Sequence, residues 1–179
     1  MASLRKASSY SKKKARPFTR TSKNRKNAYI KVNPHNKITK YNMGDLKSFE
    51  QGKHKFIVRM VAEEKAQIRD NALEACRTFL NKMLEKDVPG QFYFGIKVFP
   101  HHILRENKTA AGAGADRLSS GMKHSYGIII GRAAMVNPGK DVLVVTSTNE
   151  NAARIAKKHM EKIKTKLPCK AKIVFGKFE

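Results

Sequence analysis

Residues 84–99, LEKDVPGQFYFGIKVF, and residues 163–178, IKTKLPCKAKIVFGKF, read alike: the end of a helix, a proline, then a strand. Pro89 and Pro168 set the boundary, because the residue before a proline is pushed out of the helical region. Beyond Pro89, Phe92, Phe94, Ile96 and Val98 alternate with Tyr93, Gly95, Lys97 and Phe99. Beyond Pro168, Ala171, Ile173 and Phe175 fall on one side. Alternation with period two is the mark of a half-buried strand. The echo is loose, since two β-α-β units with shared terminators can arise independently, and it counts as a weak internal repeat.

Each half extends upstream in the same way. HKFIVRMVAEE, from about Lys55, predicts a strand with Phe56, Val58, Met60 and Ala62 on one side. A helix follows over 70–86, where Leu73, Cys76, Leu80, Met83 and Leu84 recur at helical spacing. Asn71 and Glu74 resemble a capping box. In the second half, YGIIIGRAAMV is an almost continuous apolar run, and Asn137-Pro138-Gly139-Lys140 is a turn signal before DVLVVTS. That pair is expected to be a hairpin. Ser147 and Glu150 again fit a capping box, opening a helix to about Lys166 whose inner face is Ala152, Ile155, Ala156, Met160 and Ile163. Its outward Arg154, Lys157, Lys158, Lys162 and Lys164 fit a solvated face or a contact to RNA backbone equally well. His159 is expected at the inner border of this helix. With right-handed crossovers, both helices lie on one side of a single sheet. The expected fold is α+β: a two-layer sandwich over residues 45–179, two helices packed on one side of a mixed, largely antiparallel sheet.

Residues 1–44 are a separate compositional zone, a basic extended N-terminal arm. Of 38 Lys+Arg against 14 Asp+Glu, giving +24, thirteen cations and no acid fall here. Apolar residues in it follow neither period, so it builds no core of its own. Phe18, Tyr29, Ile30, Ile38 and Tyr41 interleave with cations, which suggests rings against bases as well as cations on phosphates. A solvated tail or a localisation signal is the plainer alternative. The first 15 residues, rich in Ser and Lys, are expected to be mobile. So high a charge repels itself unless a polyanion neutralises it; nucleic acid is the leading partner and an anionic membrane surface the second. No run approaches the ~18 apolar residues of a membrane span, and no apolar signal-peptide centre is present, so the chain is expected to stay in the cell.

Between the two halves, residues 100–125 form a long loop within FPHHILRENKTAAGAGADRLSSGMKHSY. A connection beyond about 12–15 residues is usually functional or disordered. AGAGAD is not a phosphate cradle: Arg117 stands where G-x-G-x-x-G needs glycine, and no G-K-[ST] follows. His101, His102 and His124 flank the loop without the spacing or the carboxylate or thiolate partner of a metal site. Asp116, Glu106, Ser119 and Ser120 form no dyad or triad. Cys76 lies on an apolar stripe and Cys169 is distant, so neither a disulfide framework nor a zinc site is indicated. Neither an enzyme nor a cofactor or metal site is expected.

The arm RPFTRTSKN…NPHNKITKYNMG, the block FPHHILRENKTAAGAGADRLSSGM and the turn VNPGK resemble a universal large-subunit ribosomal protein family, the archaeal and eukaryotic L-ten-e branch of the bacterial L-sixteen family. The resemblance covers about Arg16 to the C-terminus and implies the same α+β sandwich. It implies a cytoplasmic, ribosome-bound protein that is not a homo-oligomer, whose partners are large-subunit rRNA near the central protuberance, the 5S rRNA neighbourhood, tRNA and other large-subunit proteins. It also implies a loop pointing toward the peptidyl transferase centre and tRNA, supporting translation and subunit assembly. Carried over residue by residue, the loop positions are Arg105, Glu106, Asn107, Lys108, Gly112, Gly114, Asp116 and Arg117. The rRNA-binding arm positions are Arg16, Arg20, Lys23, Arg25, Lys26, Lys31 and Lys40. The bacterial branch has a shorter, different loop, so its contacts do not transfer. Two other readings share the charge or the glycines: a free-standing RNA-binding regulator or chaperone, and an enzyme acting on a phosphate substrate.

Replacing Arg16 and Arg20 with Ala is expected to weaken RNA binding and flatten its dependence on salt. The log–log slope should fall by about 0.7–0.9 for each phosphate that is no longer neutralised; an unchanged slope in a salt titration would show that neither touches phosphate.

Overall fold

The computed structural model describes residues 6–12, 33–106 and 127–177. Among them are eight strands: β1 Asn42–Gly44, β2 Phe56–Ala62, β3 Ala66–Arg69, β4 Phe92–Ile96, β5 His102–Glu106, β6 Ile128–Val136, β7 Asp141–Ser147 and β8 Ala171–Lys177. Four helices accompany them: α1 Ser8–Ser11, α2 Leu46–Glu50, α3 Asp70–Asp87 and α4 Glu150–Ile163, the last followed by a 3₁₀ turn.

The two halves of the sequence interleave. The main sheet has the order β1-β4-β7-β2-β8, so β7 lies between the strands of the first unit and β2 between those of the second. That is the arrangement of ferredoxin-like β-α-β-β-α-β domains. Each unit therefore depends on the other for its neighbouring strand. Met43, Phe94, Val145, Val58 and Phe175 stand in register across all five strands, as one face of the pleat requires. The fully buried stripe of α3 (Leu73, Cys76, Leu80, Leu84) packs with that of α4 (Ala152, Ala153, Ala156, Met160, Ile163) in a single core with Val58, Met60, Phe92, Phe94 and Leu143. The alanines of α4 let its backbone approach the strands closely. His159, buried on α4, meets Asp87 at the end of α3, Nε2 to Oδ2 2.6 Å. Burial pushes the Cys76 thiol up to about 12, which keeps it a protonated, apolar filler.

The α+β class and the helix layer agree with the sequence reading, but the strands form two sheets, and every described pairing is antiparallel. The expected β6–β7 hairpin is not formed. Gly139, at φ +82°, donates its N–H to Ala62 O (2.8 Å), and Ala62 N–H donates to Lys140 O (3.0 Å). The 137–140 turn is thus bonded to the end of β2, and it hands the chain from one sheet to the other. β6 belongs to a second sheet of order β3-β6-β5. β5 lies inside the segment read as a loop. His102, Ile103 and Leu104 are all buried, so the strand shows no alternation. β3 is too short to show a period.

Neither capping box forms. Arg69 and Asn149 occupy the N-cap positions without side-chain caps. Asp70 Oδ1 accepts from Asn71 N–H (2.8 Å) and places a carboxylate at the positive end of α3. Ser147 Oγ donates to Asn149 O (2.9 Å).

Gly44 closes the edge strand. Its φ is +84°, and a Cβ there would lie 2.3 Å from the Phe92 carbonyl oxygen, while Asp45 N–H donates to that same oxygen (2.8 Å). Gly52 has φ +70° with nothing within 4 Å of such a Cβ. Gly52→Ala is expected to cost about 1–3 kcal/mol from the left-handed backbone. Gly44→Ala should cost more, because rigid backbone must also move. Urea denaturation of the two variants checks this; equal losses would mean that the contact with Phe92 is not a constraint.

Candidate nucleic-acid interface

The inner end of the arm is built into the protein. Ile38 is buried in the main core. Arg132 Nε on β6 donates to Pro34 O (2.7 Å), and Asn36 Nδ2 donates to the Tyr41 hydroxyl (2.6 Å). Ile96 N–H donates to Tyr41 O (2.9 Å), continuing the β1–β4 ladder. Glu74 on α3 accepts long bonds of 3.4 Å from Thr39 N–H and Oγ1, and it is gripped by Arg77 through both oxygens, at 2.8 and 2.6 Å. Hydrogen bonding from Arg77 holds the Glu74 carboxyl below its ordinary range. Ile38 and Tyr41, expected among the RNA-facing side chains of the arm, instead face protein: one enters the core, and the other stacks on Phe99, centroids 5.6 Å apart. What the segment presents outward is its cations, Lys37 and Lys40, both exposed. Arg16, Arg20, Lys23, Arg25, Lys26 and Lys31 lie outside the described residues.

Near the start of the chain, Ser8–Ser11 form one helical turn. Tyr10 is buried against Leu104, Ala133 and Ile130 of the second sheet, with the Arg69 guanidinium 5.5 Å from its ring centroid. A lone tyrosine in a Ser/Lys-rich stretch carries no period, so the sequence gives no sign of this.

The long connection is anchored by strand pairing. β5 and β6 are antiparallel neighbours, with Arg105 opposite Ile129 and Glu106 opposite Ile128. The two ends of the connection thus rest on adjacent, hydrogen-bonded strands. Arg105 and Glu106 are half-buried strand residues rather than loop residues. Asn107, Lys108, Gly112, Gly114, Asp116 and Arg117 lie outside the described residues, as does His124. His101 is exposed, its Nδ1 3.0 Å from Phe99 O, whereas His102 is buried. Burial, then the charges of His101 and Arg105, lowers the His102 pKa and disfavours its charged form. No group of three potential metal ligands occurs among the described residues.

A second cationic surface lies on α4 and the turn after it. Lys157, Lys158, Lys162, Lys164 and Lys166 are exposed, with Glu161 the one acid among residues 157–166. Arg154 is paired with Glu150 at 2.7 Å. A single-sign field of this kind attracts a polyanion. On the sheet face away from the helices, α2 and the residues after it cover one end. Phe49 stacks on Tyr93 at 4.1 Å, and buried His54 meets Thr146, Nδ1 to Oγ1 2.8 Å. Burial lowers the His54 pKa as well. Among the described residues no helix is long and apolar enough to cross a membrane.

The family model described as ribosomal protein L16p/L10e matches residues 14–174. The large ribosomal subunit protein uL16 of Staphylothermus marinus is 42% identical over 173 residues, covering 96% of this chain and 93% of that protein. The corresponding protein of Archaeoglobus fulgidus is 39% identical over 163 residues, 90% and 87% of the two chains. That of Thermoplasma acidophilum is 42% identical over 146 residues, 80% of each.

Within the matched span, Ile38 and Lys40 test whether the arm divides between core packing and RNA contact. Ile38→Ala is expected to cost about 2–5 kcal/mol of stability. Lys40→Ala should stay within about 0.5 kcal/mol yet reduce RNA affinity. Urea denaturation alongside RNA titration checks the pair; a destabilised Lys40→Ala, or an Ile38→Ala as stable as wild type, would contradict the assignment.

Proposed function

The chain belongs to the ribosomal protein L16p/L10e family, and from that membership we propose that it is a structural constituent of the large ribosomal subunit in the cytoplasm. It binds large-subunit rRNA and works beside other large-subunit proteins, with no reaction of its own. The net charge of +24 supports this reading, as does the outward display of Lys37 and Lys40 from a segment whose apolar side chains are held by protein.

The finer reading assigns a division of labour. The arm, through Arg16, Arg20, Lys23, Arg25, Lys26, Lys31 and Lys40, lies on rRNA near the central protuberance and the 5S rRNA. The connection between β5 and β6 reaches toward the peptidyl transferase centre and tRNA, supporting translation and subunit assembly. Arg105 and Glu106 stand at its root; Asn107, Lys108, Gly112, Gly114, Asp116 and Arg117 lie along it. The observation that carries this is the pairing of Glu106 with Ile128. A long connection whose ends are joined by a β-ladder can vary in length without unfolding the domain, because loop-closure entropy changes slowly with length.

Shortening the chain between Lys108 and Arg117 is therefore expected to leave folding and incorporation into large subunits intact while translation falls. Sucrose-gradient sedimentation and a translation assay check both halves. A shortened protein that unfolds would make the loop structural. Full-length protein absent from large subunits at moderate salt would favour a free-standing RNA-binding regulator or chaperone.

A further inference from the structure

Phe99 is the most exposed large apolar side chain among the described residues, at 50%. Its position is fixed from several directions. Pro100, buried in the fold, restricts the Phe99 backbone. The Phe99 carbonyl accepts from His101 N–H at 2.9 Å, closing a tight turn. Its ring is backed by Tyr41, 5.6 Å between centroids with an interplanar angle of 26°, and Tyr41 is itself held through its hydroxyl by Asn36 and through its carbonyl by Ile96 N–H. The other exposed large apolar residues differ. Leu46 and Ile128 are aliphatic, and Phe175 leans on Phe56 at 6.2 Å.

The surroundings of this ring are cationic. Lys40 precedes Tyr41 and Lys97 stands two residues before Phe99, and both are exposed. The two segments that form the place, 33–44 and 91–105, contain no Asp or Glu. A half-exposed ring, pre-stacked on a second ring and bordered by cations, suits a flat aromatic ligand carried on a polyanion. We propose that the Tyr41–Phe99 pair is a stacking platform for one unpaired nucleobase of RNA, with Lys40 and Lys97 on its flanking phosphates. The base extends the stack from Phe99 outward, and the fixed backbone means that little side-chain freedom is lost when it docks. The proposal rests on the RNA-binding reading and adds to it a site between the arm and the root of the loop.

The chain contains no tryptophan, so Phe99→Trp gives a full-length protein with one reporter at the site. Ten-nucleotide oligoadenylate is expected to quench its emission, while polyphosphate, a polyanion without bases, leaves it unchanged. Phe99→Leu should bind oligoadenylate about 5- to 140-fold more weakly, the range of one base–aromatic stack, with the same salt slope as wild type. Phe99→Trp should bind at least as well as wild type, which separates stacking from a loss of fold. Equal quenching by both polyanions, no quenching by bound oligoadenylate, or wild-type affinity in Phe99→Leu would overturn the platform and leave the ring to a protein contact. Failure of the wild-type chain to bind oligoadenylate at all would remove the RNA-binding reading with it.

Discussion

The architecture depends on how the Asn137–Lys140 turn is held. Ala62, at the end of β2, exchanges backbone hydrogen bonds with Gly139 and Lys140, and this prevents β6 from folding back on β7. Backbone groups buried in a fold are nearly always paired, so β6 takes other partners, β3 on one side and β5 on the other. A second sheet results. β5 then lies beside β6, and the residues between them leave and return at one place. A simple hairpin at 137–140 would have left β5 without its neighbour and the two ends of the connection unjoined.

The same economy appears in the arm. In its described residues 33–44, apolar side chains serve the protein: Ile38 in the core, Met43 in the edge strand and Tyr41 against Phe99. Lys37 and Lys40 of the same segment remain outside. Burial lowers the pKa of both His54 and His102, which disfavours their charged forms. The positive field thus comes from Lys and Arg, which keep their charge across the physiological range. A group such as Glu74 works in the opposite direction. Its carboxyl is held low by Arg77, so its contribution is fully present above the ordinary Glu range and is lost as pH falls through its depressed value.

Much of this fold was legible because two β-α-β units repeat their terminators: Pro89 and Pro168 mark equivalent boundaries, and the stripes of α3 and α4 lie where helical spacing puts them. The interleaving of the units could not be read, because strand order is set by long-range pairing and each strand looks the same whichever neighbour it takes. β5 was hidden because both its faces are covered at His102, Ile103 and Leu104. The turn at 137–140 is legible as a turn but not in its partner; nothing in Asn-Pro-Gly-Lys states whether it joins a hairpin or two sheets. At the candidate interface, charge and the acid-free arm were visible at once. The inward turn of Ile38 and Tyr41 was not, since scattered apolar residues without a period look the same on RNA and on protein.

The proposed function has the β5–β6 ladder present the loop to the tRNA side of the large subunit. A photoreactive side chain placed at Gly112, irradiated in intact large subunits carrying tRNA, tests it most directly. Adducts with tRNA or with rRNA of the peptidyl transferase centre are the expected result. Adducts confined to other proteins or to rRNA remote from that centre would contradict it.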